Sequence, residues 1–488
     1  MIPLRAGFAD RYGGQVRALV IAAGLIATGC KTATPPPPKL EPLPPAFKEN
    51  ADWKAAQPAD RIARGTWWQV FHDTRLDELE ARIDVSNETL KAQQARFAQA
   101  RAAIGITNAG RYPLVTVAPA ISAGTQSGNR TNATAHATVS DFVLPVDFSY
   151  EIDVWGRVRQ SVAAARAAAA ASEADVEAVR LSLHAELALD YFELRALDAE
   201  RALLEDSVAA FQRALDLTRN RFAGGIASAA DVALAETQLE TTRAQAVDTG
   251  AQRAALEHAI AVLVGQAPAS FQLPAMPLTE APPEIPAGLP ADLLERRPDI
   301  AAAERRVQAA SADVGVANAA FFPRLALTAT AGLESRSLLT WLSGLSSFWS
   351  AGPAAVATLF DAGRRRAVSE QAMAAFDESV ADYQETILRS LQDVEDSLAA
   401  LRVLRQEAEV QAAAVAAAQR SLTLATNRYR GGVASYLEVA AAQSAALTNQ
   451  RAALSVLSRR VTASVLLIKA LGGGWDSASL TAVKTEAR

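Results

Sequence analysis

A chain of 488 residues with a net charge of −5 has room for two or three ordinary domains and lacks the basic footprint of a nucleic-acid binder. Half of its residues are hydrophobic, but many of these are alanine, which suits close sideways packing of helices better than a thick aliphatic core. The single cysteine excludes an internal disulfide and any Cys-rich metal site.

The N-terminus reads as a targeting segment. Arg5, Arg11 and Arg17 precede an apolar run from Ala18 to Ala27, and Thr28-Gly29-Cys30 follow. The run is too short for a bilayer-spanning helix, which takes about 20 residues, and fits a signal peptide over 1–29. Its ending resembles a bacterial lipobox, so Cys30 is the expected lipidation site and mature N-terminus. A plain signal peptide with an incidental cysteine is the alternative. Lys31, not Asp, follows the cysteine, which favours sorting to the outer membrane. Residues 30–60 are expected to form a lipid-anchored tether, extended by the prolines between Thr34 and Pro45.

From Leu76 to Asn108 the apolar positions recur with helical period, and Pro113 ends the run. Leu114 to Gly124 predicts a strand. Thr138 to Asp153 predicts a stronger one, with Phe142, Leu144, Val146, Phe148, Tyr150 and Ile152 alternating against Asp141, Asp147, Ser149, Glu151 and Asp153. Pro119 and Pro145 each remove a ladder donor, so bulges or strand ends are expected there. After Gly156 no Gly or Pro occurs from Arg157 to Ala223, which predicts a helix of about 100 Å. Gly224-Gly225 breaks it, and a second helix is expected from Ser228 to Val264.

The scheme then repeats. A helix is predicted from near Pro298 to Pro323, strands over Arg324 to Leu333 and Phe348 to Asp361, a long helix from Arg364 to Arg430, a break at Gly431-Gly432, and a last helix to about Leu471. An offset of 207 residues superposes Asn220-Arg221-Phe222-Ala223-Gly224-Gly225 on Asn427-Arg428-Tyr429-Arg430-Gly431-Gly432, and Gly156-Arg157 on Gly363-Arg364. An offset of 210 pairs Leu90 with Ile300 and Pro113 with Pro323. A period this long marks a duplicated half, since solenoid repeats run about 20–50 residues. The halves are placed at 61–280 and 281–475, with a tail at 476–488.

Two-faced strands of this length suit a tilted membrane barrel, but four cannot close one, because such barrels start at about eight. Open edges are not tolerated in lipid, so copies of the chain must share a barrel. An elongated soluble coiled coil would explain the helices but neither the strands nor the duplication.

These parts, with Trp67-Trp68-Gln69-Val70-Phe71, Tyr150-Glu151-Ile152-Asp153-Val154-Trp155-Gly156-Arg157, Leu294-Glu295-Arg296-Arg297-Pro298-Asp299, Leu359-Phe360-Asp361-Ala362-Gly363 and Ala470-Leu471-Gly472-Gly473-Gly474-Trp475, resemble the TolC-like outer-membrane factors, especially the OprM- and NodT-type efflux lipoproteins. The resemblance implies a mainly α fold with a membrane β-barrel. It implies a homotrimer, twelve strands in the outer-membrane lipid, and a long periplasmic α-helical barrel. It also implies an adaptor protein and a proton-driven inner-membrane pump as partners, and a passive channel for small toxic compounds. The outer-membrane channel of a type I protein-secretion system is the alternative.

By the same resemblance, Gly224, Gly225, Gly431 and Gly432 are the periplasmic tip turns, and Asp231 and Glu438, each six residues past its Gly pair, line the constriction with Tyr429. First-turn helix acids are the simpler reading of the two carboxylates. Two family lock positions, an Arg and a second acid, fall on Ala434 and Ala441. No nucleophile motif, phosphate loop or metal-ligand spacing is present, and His72, His136, His184 and His258 are widely scattered. No catalytic site, metal or cofactor beyond the Cys30 lipid is expected.

Overall fold

The computed structural model describes residues 34–38, 42–50, 66–125, 127, 138–283, 285 and 293–474. Cys30, the expected signal peptide and the C-terminal tail lie outside them. The helices are α1 (Thr74–Ser86), α2 (Glu88–Ala109), α3 (Arg157–Ala223), α4 (Ala229–Leu263), the short α5 (Leu293–Arg296), α6 (Pro298–Ala319), α7 (Arg364–Arg430) and α8 (Tyr436–Ala470). The strands are β1 (Leu114–Val117), β2 (Ala120–Thr125), β3 (Thr138–Glu151), β4 (Arg324–Ser335) and β5 (Ser347–Val356). The duplication is literal in length: α3 and α7 each have 67 residues, α4 and α8 each 35. Among the described residues no helix is long and apolar enough to cross a membrane.

The chain divides into two compact units. One contains Ala98–Ala171 and Glu304–Asp382; the other contains Leu40–Phe97, Ser172–Ala303 and the residues from Tyr383 on. The first unit holds one antiparallel sheet in which β1 and β2 both pair with β3, β3 with β4, and β4 with β5. Paired residues of an antiparallel ladder share a face. The register puts Val117 with Val146, Ile121 with Phe142, Leu333 with Leu144, and Trp349 with Ala331. One face is therefore apolar. The other carries Asp147 against Thr116 and Thr330, whose Oγ1 donates to Asp147 Oδ1 at 2.7 Å.

Both prolines fall where a donor is dispensable. Pro119 lies in the break between β1 and β2. Pro145 faces the same interruption, since Val146 pairs with Val117 and Val143 with Ala120. β1 and β2 thus make one interrupted strand, and the sheet has four strands in effect. The last strand stops at Val356, not at Asp361, because Val356 already pairs with Arg324 at the start of β4 and the preceding Pro323 has no N–H to extend the ladder.

Each strand-to-helix junction is fastened by a carboxylate. Asp153 accepts from the Val158 and Arg159 amides at 3.0 and 2.9 Å, and Arg157 grips Glu151 with two bonds of 2.9 and 2.8 Å. Asp361 does the same work before α7, accepting from the Gly363 and Arg365 amides.

In the second unit, the expected first helix is broken at Asn87 into α1 and α2. Asn87 leaves helical geometry at ψ 122° and its Oδ1 caps α2 at the Leu90 amide, 2.9 Å away. Its Nδ2 donates to Leu263 O at the end of α4. The other half repeats this with different chemistry: Arg297, between α5 and α6, reaches Ala470 O at the end of α8 at 3.3 Å. The buried Trp67–Phe71 turn packs Trp68 on His184 at 4.4 Å and Phe71 on Phe192 at 4.8 Å. Asp73 caps α1 and takes Arg195 Nη1 at 2.6 Å. Part of the expected tether is docked: Phe47 is buried, and Glu395 on α7 accepts the Lys48 and Glu49 amides at 2.7 and 2.9 Å.

Candidate functional site

The two Gly-Gly turns close α3 and α7 in the same way. Gly225 and Gly432 are left-handed, with φ of 71° and 76°. The Gly225 amide donates to Phe222 O and the Ile226 amide to Arg221 O; the Gly432 amide donates to Tyr429 O and the Val433 amide to Arg428 O. This pair of bonds is the Schellman motif, which satisfies the last carbonyls of a helix and needs a residue that tolerates positive φ. Ile226 and Val433 follow, both largely exposed.

The two acids beyond the turns are held differently. Asp231 completes a capping box: its amide donates to Ser228 Oγ at 3.2 Å, and its Oδ2 accepts from the Ser228 amide and hydroxyl at 3.0 and 2.9 Å. Helix capping therefore accounts for Asp231 on local grounds, a contribution of about 1 kcal/mol. It does not account for Glu438. Ser435 makes no side-chain cap bond, and Glu438 is exposed and paired with the exposed Arg428 at 3.5 Å. Such a surface pair contributes about 0–1 kcal/mol. Both sites place one anionic side chain in the first turn after each tip.

Tyr429 does not stand with the acids. It is 4 % exposed, its hydroxyl donates to Thr218 Oγ1 at 3.0 Å, and its ring meets Tyr436 edge-on at 5.6 Å. Arg221 lies over the Tyr429 ring at 4.5 Å, and its Nη1 donates to the Tyr429 carbonyl. One arginine from the first tip thus clasps the second. Arg221 was not among the residues expected to matter, although its equivalence to Arg428 under the 207-residue offset was a usable signal. Tyr436 also went unremarked; it is fully buried in the cluster of Leu204, Phe211, Leu239 and Val439, and its hydroxyl donates to Gln443 at 3.2 Å.

The outer membrane efflux protein family model matches this chain twice, over residues 81–266 and 289–473. The antibiotic efflux pump outer membrane protein ArpC of Pseudomonas putida is 32% identical over 437 residues, covering 89% of this chain and 90% of ArpC. Outer membrane protein OprJ of Pseudomonas aeruginosa is 32% identical over 463 residues, covering 93% and 96%. Among solved structures, the outer-membrane channel OprN matches with a TM-score of 0.85 at 28% identity, over 91% of this chain and 99% of that one.

Proposed function

This chain belongs to the outer membrane efflux protein family, and on that premise we propose that three copies form the passive exit duct of a tripartite pump for small toxic compounds. The fold is TolC-like with duplicated halves, and the protein is an outer-membrane efflux channel component. The observation that carries the trimer is the sheet. It has one apolar and one polar face, and its outer edges, β5 and the interrupted β1/β2 strand, have no partner within the described chain. Joining those edges between copies is the only arrangement that lipid tolerates.

In this reading the tip turns at Gly224-Gly225 and Gly431-Gly432 face the periplasm, where an adaptor protein and a proton-driven inner-membrane pump would supply substrate and energy. Asp231 and Glu438 line the constriction, six carboxylates in a trimer. Tyr429 acts from behind, through its packing with Arg221 and Tyr436, and does not project into the opening. Glu438 is exposed in the first turn of α8 and free of any capping role, which leaves its carboxylate available to the opening, although the helix dipole also favours an acid there. The Cys30 thiol carries the lipid anchor, supported by the basic and apolar residues before it.

A deletion strain tests the function. Loss of the gene should raise sensitivity to small apolar toxicants, and the plasmid-borne wild type should restore tolerance; unaltered tolerance together with failed secretion of a protein would favour the secretion alternative. Mass spectrometry of the purified N-terminus tests the anchor, and an unmodified start elsewhere than Cys30 would refute it.

A further inference from the structure

The segment between β4 and β5 is chemically unlike the rest of the sheet. Arg336 opens it, and after that no charged residue occurs through the loop and β5 as far as Phe360. Leu338, Leu339, Leu342 and Leu345 stand outside it, Leu339 and Leu345 at 97% and 101% of full exposure. Four leucines left in water forgo the burial that drives apolar side chains out of it. Part of the polar backbone, by contrast, is bonded within the loop. The Thr340, Ser343 and Ser346 amides donate to Ser337, Thr340 and Ser343 carbonyls, and Ser346 Oγ donates to Thr340 O at 2.7 Å.

The side on which this loop lies is set by Trp341. Its ring tilts against Phe142 at 5.7 Å, and its Nε1 donates to Leu333 O at 3.4 Å. Phe142 pairs with Ile121 and belongs to the apolar face of β3. The loop is therefore drawn toward the apolar face, away from Asp141 and Ser122 on the other. The sheet leaves room for it. The apolar positions from Phe142 to Tyr150 cover about 27 Å of strand, or about 21 Å of height at a tilt of about 40°, against a lipid-facing belt of about 25 Å.

We propose that loop 337–346 is a lipid-binding rim: its leucines dip into the acyl chains at the extracellular boundary of the barrel, Trp341 sits at the interface, and the backbone stays at headgroup level. The inference rests on the outer-membrane reading above. Tryptophan suits such a boundary, and headgroup level is where water can pair the backbone groups that the loop does not pair itself. The competing occupant is the same loop of a second copy, folded across the channel mouth.

Site-directed fluorescence in the full chain separates these. Leu339→Cys and Leu345→Cys are labelled with an environment-sensitive fluorophore and reconstituted into phosphatidylcholine vesicles with or without brominated acyl chains. Val117→Cys reports the apolar belt, Ser350→Cys the polar face, and the unsubstituted chain any labelling at Cys30. Probes at 339 and 345 should be quenched at least twofold by brominated lipid and shielded from iodide, as at 117 and opposite to 350. Iodide quenching without lipid quenching at 339 and 345, while 117 remains lipid-quenched, overturns the rim and favours the mouth. Escape of 117 from lipid quenching removes the membrane reading and the rim with it.

Discussion

Asp231 and Glu438 look equivalent by sequence position, yet their surroundings give them different reasons to exist, and this separates their predicted effects. Glu438→Ala removes an exposed pair with Arg428, so stability should change by less than about 1 kcal/mol. Asp231→Ala breaks a capping box and should cost about 1 kcal/mol. If both ring the opening, the double variant should lose cation preference and multivalent-cation block in planar-bilayer recordings while remaining a properly inserted channel. Unchanged selectivity would leave capping as the whole account of Asp231. A second residue-scale prediction concerns Glu80 and His184, whose Oε2 and Nδ1 lie 2.6 Å apart, with Trp68 stacked on the imidazole and Asp84, Asp77 and Arg180 around them. Burial pushes the Glu80 carboxyl up to about 7. Burial alone would lower His184, but the Asp84 carboxylate 3.7 Å away and the hydrogen bond to Glu80 hold it above its ordinary value. Both shifts are upward, so the folded state binds protons more tightly than the unfolded one. The stability they contribute is complete in acid and is lost as pH rises, for Glu80 through about 7, above which a buried, unneutralised carboxylate remains. Asp84 is shifted the other way by the nearby His184 and by its pair with Arg180, and weakens the fold only in acid. Thermal melts should therefore show the midpoint falling between about pH 5 and pH 8. Glu80→Gln should flatten that slope. His184→Ala removes the partner that favours the Glu80 carboxylate, so Glu80 should stay protonated to higher pH and the fall in the midpoint should move to more alkaline pH. An unaltered slope in Glu80→Gln would show that other groups set the pH response.

At the scale of elements, glycines divide by what surrounds them. Gly265 and Gly472 follow α4 and α8 at equivalent positions, with φ of 67° and 86°, and an added Cβ would strike the backbone of Ser86 in one case and Arg296 in the other. Gly225 has a similar φ of 71°, but a Cβ there meets nothing within 4 Å. Alanine at 225 should cost about 1 kcal/mol from backbone strain, whereas alanine at 265 or 472 must also displace a carbonyl and should cost about 3 kcal/mol or more. Denaturant titration ranks the three, and equal losses would refute the close-approach argument. This junction also marks what the sequence could not disclose. The long helices, the Gly-Gly turns and the alternating strand were legible because each depends on period or on a residue's intrinsic backbone preference. The break at Asn87 depends on a partner, since Asn87 leaves the helix to reach Leu263 O, 176 residues away in the chain. The early end of β5 depends likewise on where β4 starts. At the candidate site, the turns and the position of each acid six residues past its Gly pair were legible from the repeat. The burial of Tyr429 was not, because Arg221, Thr218 and Tyr436 converge on it only in three dimensions.

For the whole molecule the decisive quantity is the free edge of the sheet. β5 has 10 residues and pairs on one side only, with β4. About half of its backbone N–H and C=O groups face outward, and each left unpaired in hydrocarbon costs several kcal/mol. That sum is tens of kcal/mol, beyond the roughly 5–15 kcal/mol by which proteins are stable. In the outer-membrane reading proposed above, a single copy inserted alone is therefore disfavoured, and joining of the edges between copies is the expected outcome. Two copies would give eight effective strands, a barrel whose interior side chains fill the lumen and leave no passage. Three give twelve, the smallest closed count here that leaves room for a conduit. The expected assembly in mild detergent is a species of about three chain masses that conducts after reconstitution, with no conductance from monomer fractions. Multi-angle scattering paired with bilayer recording on the same fractions decides it. A conducting species of one or two chains would mean that the edges are satisfied in another way, and the shared barrel would have to be abandoned.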